Sequence, residues 1–225
     1  METHRLSGKY AIAGLGMVVG VPEKALAKRK AELPGHPMLE HAIPSPVLDL
    51  SAKDLEAEAA RRAIEDAGLS NKDIDGAVHV HGGPRSGRGV IEHMDAFPRM
   101  LGLPVNFFYH CGRGGGWGTI GIITALSFLE LGLAKYVVIA GSREDWTRSH
   151  RKDVREQGVR GQVNLASVAG MWGPTFGRTA AAHDHSMFAA RHRHEYGTTE
   201  RQFGAGAVQV RAWACKNPLA YMYGR

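Results

Sequence analysis

Two hydrophobic patterns alternate along the first 141 residues of this chain. Short continuous apolar runs predict four buried strands, at Tyr10–Gly14, Ile74–Val80, Val105–Tyr109 and Tyr136–Ala140. The segments between them carry apolar residues at helical spacing, which predicts helices in the connections. Such an alternation of strands and helices is typical of an α/β protein.

The clearest helical pattern begins at Ser51, whose hydroxyl suits an N-cap. Apolar residues recur at every fourth position from Leu55 to Ala67, and Gly68 ends the pattern. The patterns at Val90–Leu101 and Gly116–Leu131 predict two further helices. The last of these is apolar around nearly its whole circumference, so it is expected to be buried.

The order of these elements predicts a βαβαβαβ domain over residues 1–141, with about four parallel strands and right-handed crossovers. Residues 142–225 follow a different pattern. A polar, glycine-rich segment extends to Arg178 without periodicity, which predicts a loop region. Helices are then predicted at about Ala180–Tyr196 and Thr199–Lys216, so this second domain is expected to be a loop and helical extension.

Composition narrows the class of protein. A chain of 225 residues with 44% hydrophobic content is expected to fold around a core. The formal charge of +6 is spread along the chain, and no zinc-finger, RNP or helix-turn-helix pattern accompanies it. We therefore expect no nucleic-acid partner, and the basic residues indicate a solvated face or a ligand with several phosphates.

Cysteine content and hydropathy predict the compartment. The chain has two cysteines, Cys111 and Cys215, and its N-terminus lacks the features of a signal peptide, which predicts a reducing cytoplasm without disulfides. The longest apolar run, Thr119–Leu129, is shorter than the ~20 residues that span a bilayer. No membrane span is therefore expected.

The segment from His110 to Gly118 is the main candidate for a site. Five of its last seven residues are glycine, and it lies between a predicted strand and a predicted helix. Glycines let a ligand approach the main chain, and the first N–H groups of a helix are unpaired and lie at the positive end of its dipole. Such a pocket suits an oxyanion, a thioester carbonyl or a phosphate.

The same segment has two other interpretations. Gly116, Gly118 and Gly121 form a G-x-G-x-x-G pattern that is typical of NAD(P)-binding oxidoreductases. The pattern starts seven residues after Tyr109, however, whereas a dinucleotide-binding turn follows its strand almost at once. Close packing of the helix against its neighbours also explains the three glycines.

Cys111 is a candidate nucleophile, because a helix N-terminus lowers the pKa of a nearby thiol. His110 and Cys111 are adjacent on an extended segment, so their side chains are expected on opposite faces, and a packed structural cysteine is the favoured interpretation. The histidines from His183 to His194 match no usual metal-binding spacing and are interleaved with arginines. We therefore predict no metal site.

Four segments, taken in order, resemble the thiolase superfamily, and within it the branch of sterol carrier protein X thiolase-like and lipid-transfer proteins. They are AIAGLG at 11–16, AEAARRAIEDAGLSNKDID at 57–75, LGLAKYVVIAG at 131–141 and RHRHEYGTT at 191–199. The resemblance covers nearly the whole chain. It implies that residues 1–141 are the N-terminal α/β half of a thiolase-like fold and that residues 142–225 correspond to its loop domain.

The resemblance also implies a type of chemistry. Gly115 stands where thiolases carry their acyl-accepting cysteine, and Cys111 lies four residues too early to replace it. A glycine there resembles the members that act as aldolases on steroid side-chain CoA thioesters, in steroid degradation, without an acyl-enzyme and without another cofactor. The backbone at Gly114, Gly115 and Gly116, beside Trp117, would then shape the acyl pocket and polarise the thioester carbonyl. Candidates for binding the CoA phosphates are Arg148, Arg151 and Lys152.

The resemblance further implies partners. Family members have two similar halves, and the second half, which this sequence does not include, carries the general acid and base. We therefore expect a heteromer with a second thiolase-like half or a zinc-ribbon/OB-fold protein, or a homodimer through Val105–Tyr109. There are two alternatives to an aldolase subunit. One is a non-catalytic subunit that binds acyl-CoA or lipid, and the other is an NAD(P)-binding oxidoreductase.

Overall fold

The computed structural model describes residues 8–45, 52–80, 96–111, 116–142, 176–177 and 181–225. The chain divides into two compact units, Met1–Arg151 and Lys152–Arg225. The strands described in the first unit are β1 (Val19–Pro22), β2 (Ala42–Ser45), β3 (Gly76–His79), β4 (Phe107–His110) and β5 (Val137–Ala140). Its described helices are α1 (Glu23–Glu32), α2 (Ala52–Asp66), α3 (Ala96–Leu101) and α4 (Trp117–Glu130). In the second unit, α5 (Ala181–Tyr196) and α6 (Glu200–Lys216) are described.

The central sheet of the first unit is parallel. Its order is β4-β3-β5, and Gly76 at the start of β3 pairs with Phe107 on one side and with Val137 on the other. The strands β1 and β2 form a separate parallel pair. The predicted α/β class with parallel strands is therefore confirmed, and the carboxyl ends of β3, β4 and β5 share one edge.

Helices cover both faces of the central sheet. Ala77 of β3 packs with Ala60 and Ile64 of α2 and with Phe97 of α3. Val78, the next residue, points the other way, where Cys111 and Ala125 of α4 surround it. The carboxylate of Asp75 accepts hydrogen bonds of 2.8 Å from the backbone N–H groups of Lys135 and Tyr136, which fixes the start of β5 beside β3.

The prediction of a strand at Tyr10–Gly14 is wrong. Residues 10–18 have no regular secondary structure and run along α2. The Leu15 N–H donates to the Asp66 carboxylate at 2.8 Å, and a Cβ on Gly14 or Gly16 would overlap the α2 backbone. The segment is apolar because it covers the alanine face of a helix, and it does not pair with the sheet. The strands β1 and β2 instead lie in a stretch for which no strand was predicted.

The helix predictions hold where local signals are strong. The helix α2 ends two residues before Gly68, which has a φ of +68°. Thr199 caps α6 through a capping box with Gln202, and Gly197 with a φ of +66° follows α5. The helix α4 forms as predicted but is only partly buried. Gly121 and Ala125 face the sheet, whereas Ile120, Ile122 and Ile123 are exposed. No helix among the described residues has the length and hydrophobicity required to cross a bilayer.

Candidate functional site

Two histidines meet at the carboxyl edge of the central sheet. His79 ends β3 and His110 ends β4, and the two residues are register partners. Their Nδ1 atoms are 2.8 Å apart. One of these nitrogens must donate and the other must accept, so a single proton lies between them. One histidine therefore carries its proton on Nδ1, and the other carries its proton on Nε2. Parallel α/β sheets bind their ligands at this edge.

Glu56 of α2 lies behind the histidine pair. Its Oε1 atom is 3.4 Å from Nε2 of His79, within the range of an ion pair. The residue is 3% exposed, and this oxygen makes no well-aligned hydrogen bond among the described groups. Burial raises the pKa of Glu56 to about 8. The carboxyl group is therefore largely protonated at neutral pH, and we describe the contact with His79 as a neutral acid facing an imidazole.

His110 is the most accessible member of this cluster. It is half-buried, whereas His79 is 6% exposed and Glu56 is 3% exposed. Burial lowers the pKa of His110 below its ordinary value. A neutral imidazole can accept a proton at one ring nitrogen and donate one from the other, as general acid–base catalysis requires. We call Glu56, His79 and His110 the acid–histidine cluster.

Cys111 lies on the other face of the sheet. Its Sγ atom is 3.4 Å from Oγ1 of Thr124 on α4, and the residue is 5% exposed. Its backbone N–H donates to the His79 carbonyl at 2.8 Å. The side chains of His110 and Cys111 thus contact different neighbours, as the alternation along a strand predicts. The structure does not bring a histidine base to this thiol through its described contacts.

The described part of the glycine segment forms the start of α4. Gly116 is the N-cap and has no capping side chain, and Trp117 is half-buried. A Cβ on Gly121 would overlap Val80 of the neighbouring segment, whereas a Cβ on Gly118 would meet nothing. Gly121 thus serves helix packing. The strand β4 ends at His110 and α4 begins at Trp117, whereas in a dinucleotide-binding turn the helix follows the strand almost at once. Five predicted site residues lie outside the described residues: Gly114, Gly115, Arg148, Arg151 and Lys152.

Within the described ranges, no group of three or more His, Cys, Asp or Glu side chains is placed to hold a metal ion. The acid–histidine cluster does not form such a site because its two imidazoles direct their Nδ1 atoms at each other. The arrangement instead suits the transfer of a proton across the hydrogen bond between the two histidines.

Comparison with known proteins shows which proteins this chain resembles. No family model matches the chain. Over 176 residues it is 32% identical to the steroid side-chain-cleaving aldolase of Thermomonospora curvata, a match covering 78% of this chain and 43% of that protein. It is 30% identical over 177 residues to the 17-hydroxy-3-oxo-4-pregnene-20-carboxyl-CoA lyase of Mycobacterium tuberculosis, covering 76% of this chain and 42% of that protein.

A solved structure gives the same result. The Ltp2-ChsH2(DUF35) aldolase superposes with a TM-score of 0.63 at 29% identity, over 96% of this chain and 46% of that chain. The predicted resemblance to the steroid side-chain aldolase branch of the thiolase superfamily is confirmed. This thiolase-like chain spans less than half the length of the curated relatives that it matches.

Sequence reasoning missed two members of the acid–histidine cluster in this thiolase-like chain. The repeat of alanines indicated a buried α2 face at Ala59 and Ala63. The face that packs on the sheet instead carries Glu56, Ala60 and Ile64. A carboxylate in line with apolar residues at i+4 and i+8 was the available signal for a buried acid. His79, at the end of an apolar strand, was the matching signal on the sheet.

Proposed function

We propose that this chain forms the N-terminal part of a thiolase-like aldolase that binds a bulky acyl-CoA thioester and takes part in carbon–carbon bond cleavage. The observation that carries the proposal is the acid–histidine cluster at the carboxyl edge of the sheet, in a chain similar to a steroid side-chain-cleaving aldolase. The start of α4 follows β4 and therefore lies at the same edge.

The chemistry of a retro-aldol cleavage explains why these groups fit. A base removes the proton of a hydroxyl group β to the thioester carbonyl. The bond between the α and β carbons then breaks, and its electron pair forms an enolate at the thioester, which later takes up a proton. Such a reaction needs a proton carrier and hydrogen-bond donors at the enolate oxygen, and it needs no nucleophile.

The resemblance supports assigning the donors to the glycine segment. With Gly115 at the position of the thiolase cysteine, the backbone at Gly115 and Gly116 polarises the thioester carbonyl, and no acyl-enzyme forms. The missing side chain leaves room for a branched or polycyclic acyl group. Arg148, Arg151 and Lys152 then bind the CoA phosphates, since basic side chains provide charge-assisted hydrogen bonds to phosphate.

We further propose that the chain works in an assembly. The solved relative is described as an Ltp2-ChsH2(DUF35) aldolase, a name with two components. In our proposal a second thiolase-like half, a zinc-ribbon/OB-fold protein or a second copy of this chain covers the exposed isoleucines of α4 and the edge strand β4. Tyr109 on that strand is 48% exposed.

Ligand-dependent stability tests the proposed ligand. A compound at a hundred times its dissociation constant stabilises a protein by ~2.7 kcal/mol, so CoA thioesters are expected to raise the melting temperature, and NADH is not. The reverse result would establish the dinucleotide-binding alternative. Mass spectrometry after incubation with acyl-CoA is expected to show no covalent adduct, and an adduct on Cys111 would contradict the non-covalent mechanism.

A substitution separates the acyl pocket from general CoA binding. Gly115→Val adds a branched side chain at the proposed acyl site, and overfilling a packed site costs ~1–3 kcal/mol. Titration calorimetry should show that the variant loses affinity for a bulky acyl-CoA much more than for free CoA. Equal losses for the two ligands would place Gly115 outside the acyl pocket. Binding without cleavage in any assembly would favour the non-catalytic alternative.

A further inference from the structure

The acid–histidine cluster runs inward from the edge of the sheet as a line of three groups. His110 is half-buried, His79 is buried behind it, and Glu56 is the innermost group. Nδ1 of His110 faces Nδ1 of His79 at 2.8 Å, and Nε2 of His79 faces the Glu56 carboxyl at 3.4 Å. Each group thus has a polar neighbour on the side needed to pass a proton along the line.

We propose that Glu56, His79 and His110 form a proton relay that connects the buried Glu56 carboxyl group with Nε2, the second ring nitrogen of the half-buried His110. The exchange of that proton with a substrate rests on the proposed function, whereas the relay itself does not. The catalytic candidate is His110. Glu56 and His79 are positioning residues, because they act through it.

Only one Nδ1 can carry the proton in the 2.8 Å contact, and the relay we propose alternates between two proton arrangements. In the first, the Glu56 carboxyl is protonated and faces an unprotonated Nε2 of His79 at 3.4 Å, Nδ1–H of His79 donates to His110, and the His110 proton is on Nε2. In the second, Glu56 is ionised and accepts from Nε2–H of His79, whose Nδ1 accepts from Nδ1–H of His110. Nε2 of His110 is then unprotonated and can accept a proton.

These arrangements balance the protons of a retro-aldol reaction. The substrate hydroxyl gives its proton to Nε2 of His110 while Nδ1–H passes to His79 and Nε2–H of His79 passes to Glu56. The oxygen electron pair forms the new carbonyl group, and the broken carbon–carbon bond leaves its pair on the thioester enolate. The reverse shift returns one proton from His110 to the enolate carbon, so the relay ends as it began.

The surroundings favour a relay of neutral histidines. Among the described residues, the apolar Ala140 of β5 is the register partner of His79, and Arg99, the charged residue of α3, is exposed. On α2, the neighbours of Glu56 one turn away are Lys53, which is half-buried, and Ala60. Cys111 follows His110 but packs on the other face. Burial also brings the pKa of Glu56 to about 8, close to the pH at which a general base is useful.

Nitrogen-15 NMR of the histidine rings in the full chain tests the relay without a substrate. Ring nitrogens that carry a proton have shifts distinct from those that do not, so the tautomer of each histidine can be followed with pH. We expect His79 and His110 to exchange tautomers together, in one step near pH 8. Constant tautomers from pH 6 to pH 9 would overturn the proposal.

A pair of variants on α2 identifies the group that drives the step. Glu56→Gln keeps the size of the side chain but cannot titrate, so the joint tautomer change is expected to disappear. Glu65→Gln, which removes an exposed partner of Arg61 on the same helix, is the control and should retain the change. A tautomer step that persists in Glu56→Gln would overturn the relay. If Glu56→Gln does not fold, the titration of the wild-type chain tests the relay by itself.

The outcomes separate this proposal from the proposed function. A joint tautomer change in a chain that binds no CoA thioester would support the relay and contradict the proposed ligand. Binding of CoA thioesters by a chain with fixed tautomers would support the proposed ligand and contradict the relay. Where an assembly shows cleavage, Glu56→Gln is expected to flatten the alkaline dependence of kcat near pH 8 and to leave KM nearly unchanged. An unchanged pH profile would count against the relay.

Discussion

Two glutamates of α2, two residues apart, show how position decides the behaviour of a carboxyl group. Glu56 faces the sheet, and burial raises its pKa to about 8. Glu58 faces Arg61 and Arg62, whose hydrogen bonds lower its pKa to about 2 despite a smaller opposing effect of burial. The helix therefore presents an acid that is mostly neutral at pH 7 toward the core and an ionised one toward its outer side.

This contrast predicts how stability depends on pH. The folded state keeps a proton on Glu56 that the unfolded state releases near its ordinary pKa of 4.5. The contribution of this proton to the free energy of unfolding is therefore fully present below pH 4.5 and is lost as the pH rises through about 8. The free energy of unfolding falls by up to about 1.4 kcal/mol per pH unit in that range. Urea unfolding of Glu56→Gln is expected to show a flatter pH dependence than the wild type between pH 5 and pH 8.

Glu58→Gln provides the matched control for that measurement. The Glu58 contribution is present above the unfolded pKa and is lost only as the pH falls toward about 2, so this variant should keep the wild-type slope between pH 5 and pH 8. Parallel wild-type and Glu56→Gln curves would show that Glu56 does not hold its proton in the folded state.

At the scale of elements, α4 has two unlike sides. Toward the sheet it presents Gly121 and Ala125, small residues that let the helix approach β3 and β5. Away from the sheet it presents isoleucines, of which Ile123 is 58% exposed. Small residues inward and large apolar residues outward are typical of a helix packed on both sides. We infer that a further surface covers the outer side.

The inner side of α4 can be tested with two glycine variants. A Cβ on Gly121 would overlap Val80 and crowd Ile139, whereas a Cβ on Gly118 has open space. Gly121→Ala is therefore expected to lower the free energy of unfolding by about 1–3 kcal/mol through overpacking. Gly118→Ala should leave it unchanged or raise it by up to about 1 kcal/mol, since alanine favours the helix. Equal urea midpoints would show that α4 is not packed closely on the sheet.

At the scale of the whole molecule, the surface of the first unit favours association. The described edge strand β4 and the outer side of α4 expose Tyr109, Ile120 and Ile123 together with the backbone of the edge. Monomeric proteins usually avoid both an open strand edge and a large apolar patch. The match covers only 43% and 42% of the two curated relatives, so they have additional chain that can cover such surfaces.

Sedimentation at micromolar concentration tests this inference. The chain is expected to form a homo-oligomer, or a stable complex when it is produced with its partner. Tyr109→Lys should weaken that association, because it places a charge beside the β4 edge, whereas Ile12→Lys, at a position that is 69% exposed outside the sheet, should not. A stable monomer of 24.4 kDa under both conditions would contradict the proposed assembly.

Local signals in the sequence determined the elements that depend on near neighbours. The helices α2, α5 and α6 follow from helical spacing and from stop or cap residues such as Gly68 and Thr199, because these interactions span only a few residues. The α/β class followed from the order of the elements, and the ordered segments indicated the thiolase-like family. The ligand site near the start of α4 stays a prediction from the composition of the glycine segment.

Only the tertiary structure decided which distant residues meet. Tyr10–Gly14 is apolar enough for a strand, but its neighbour in space is α2, so its hydrogen bonds and packing differ. Glu56, His79 and His110 come from two strands and a helix, and parallel pairing of β3 with β4 brings them together. No local pattern encodes such a contact, because a buried polar side chain is stabilised by partners far away in the sequence.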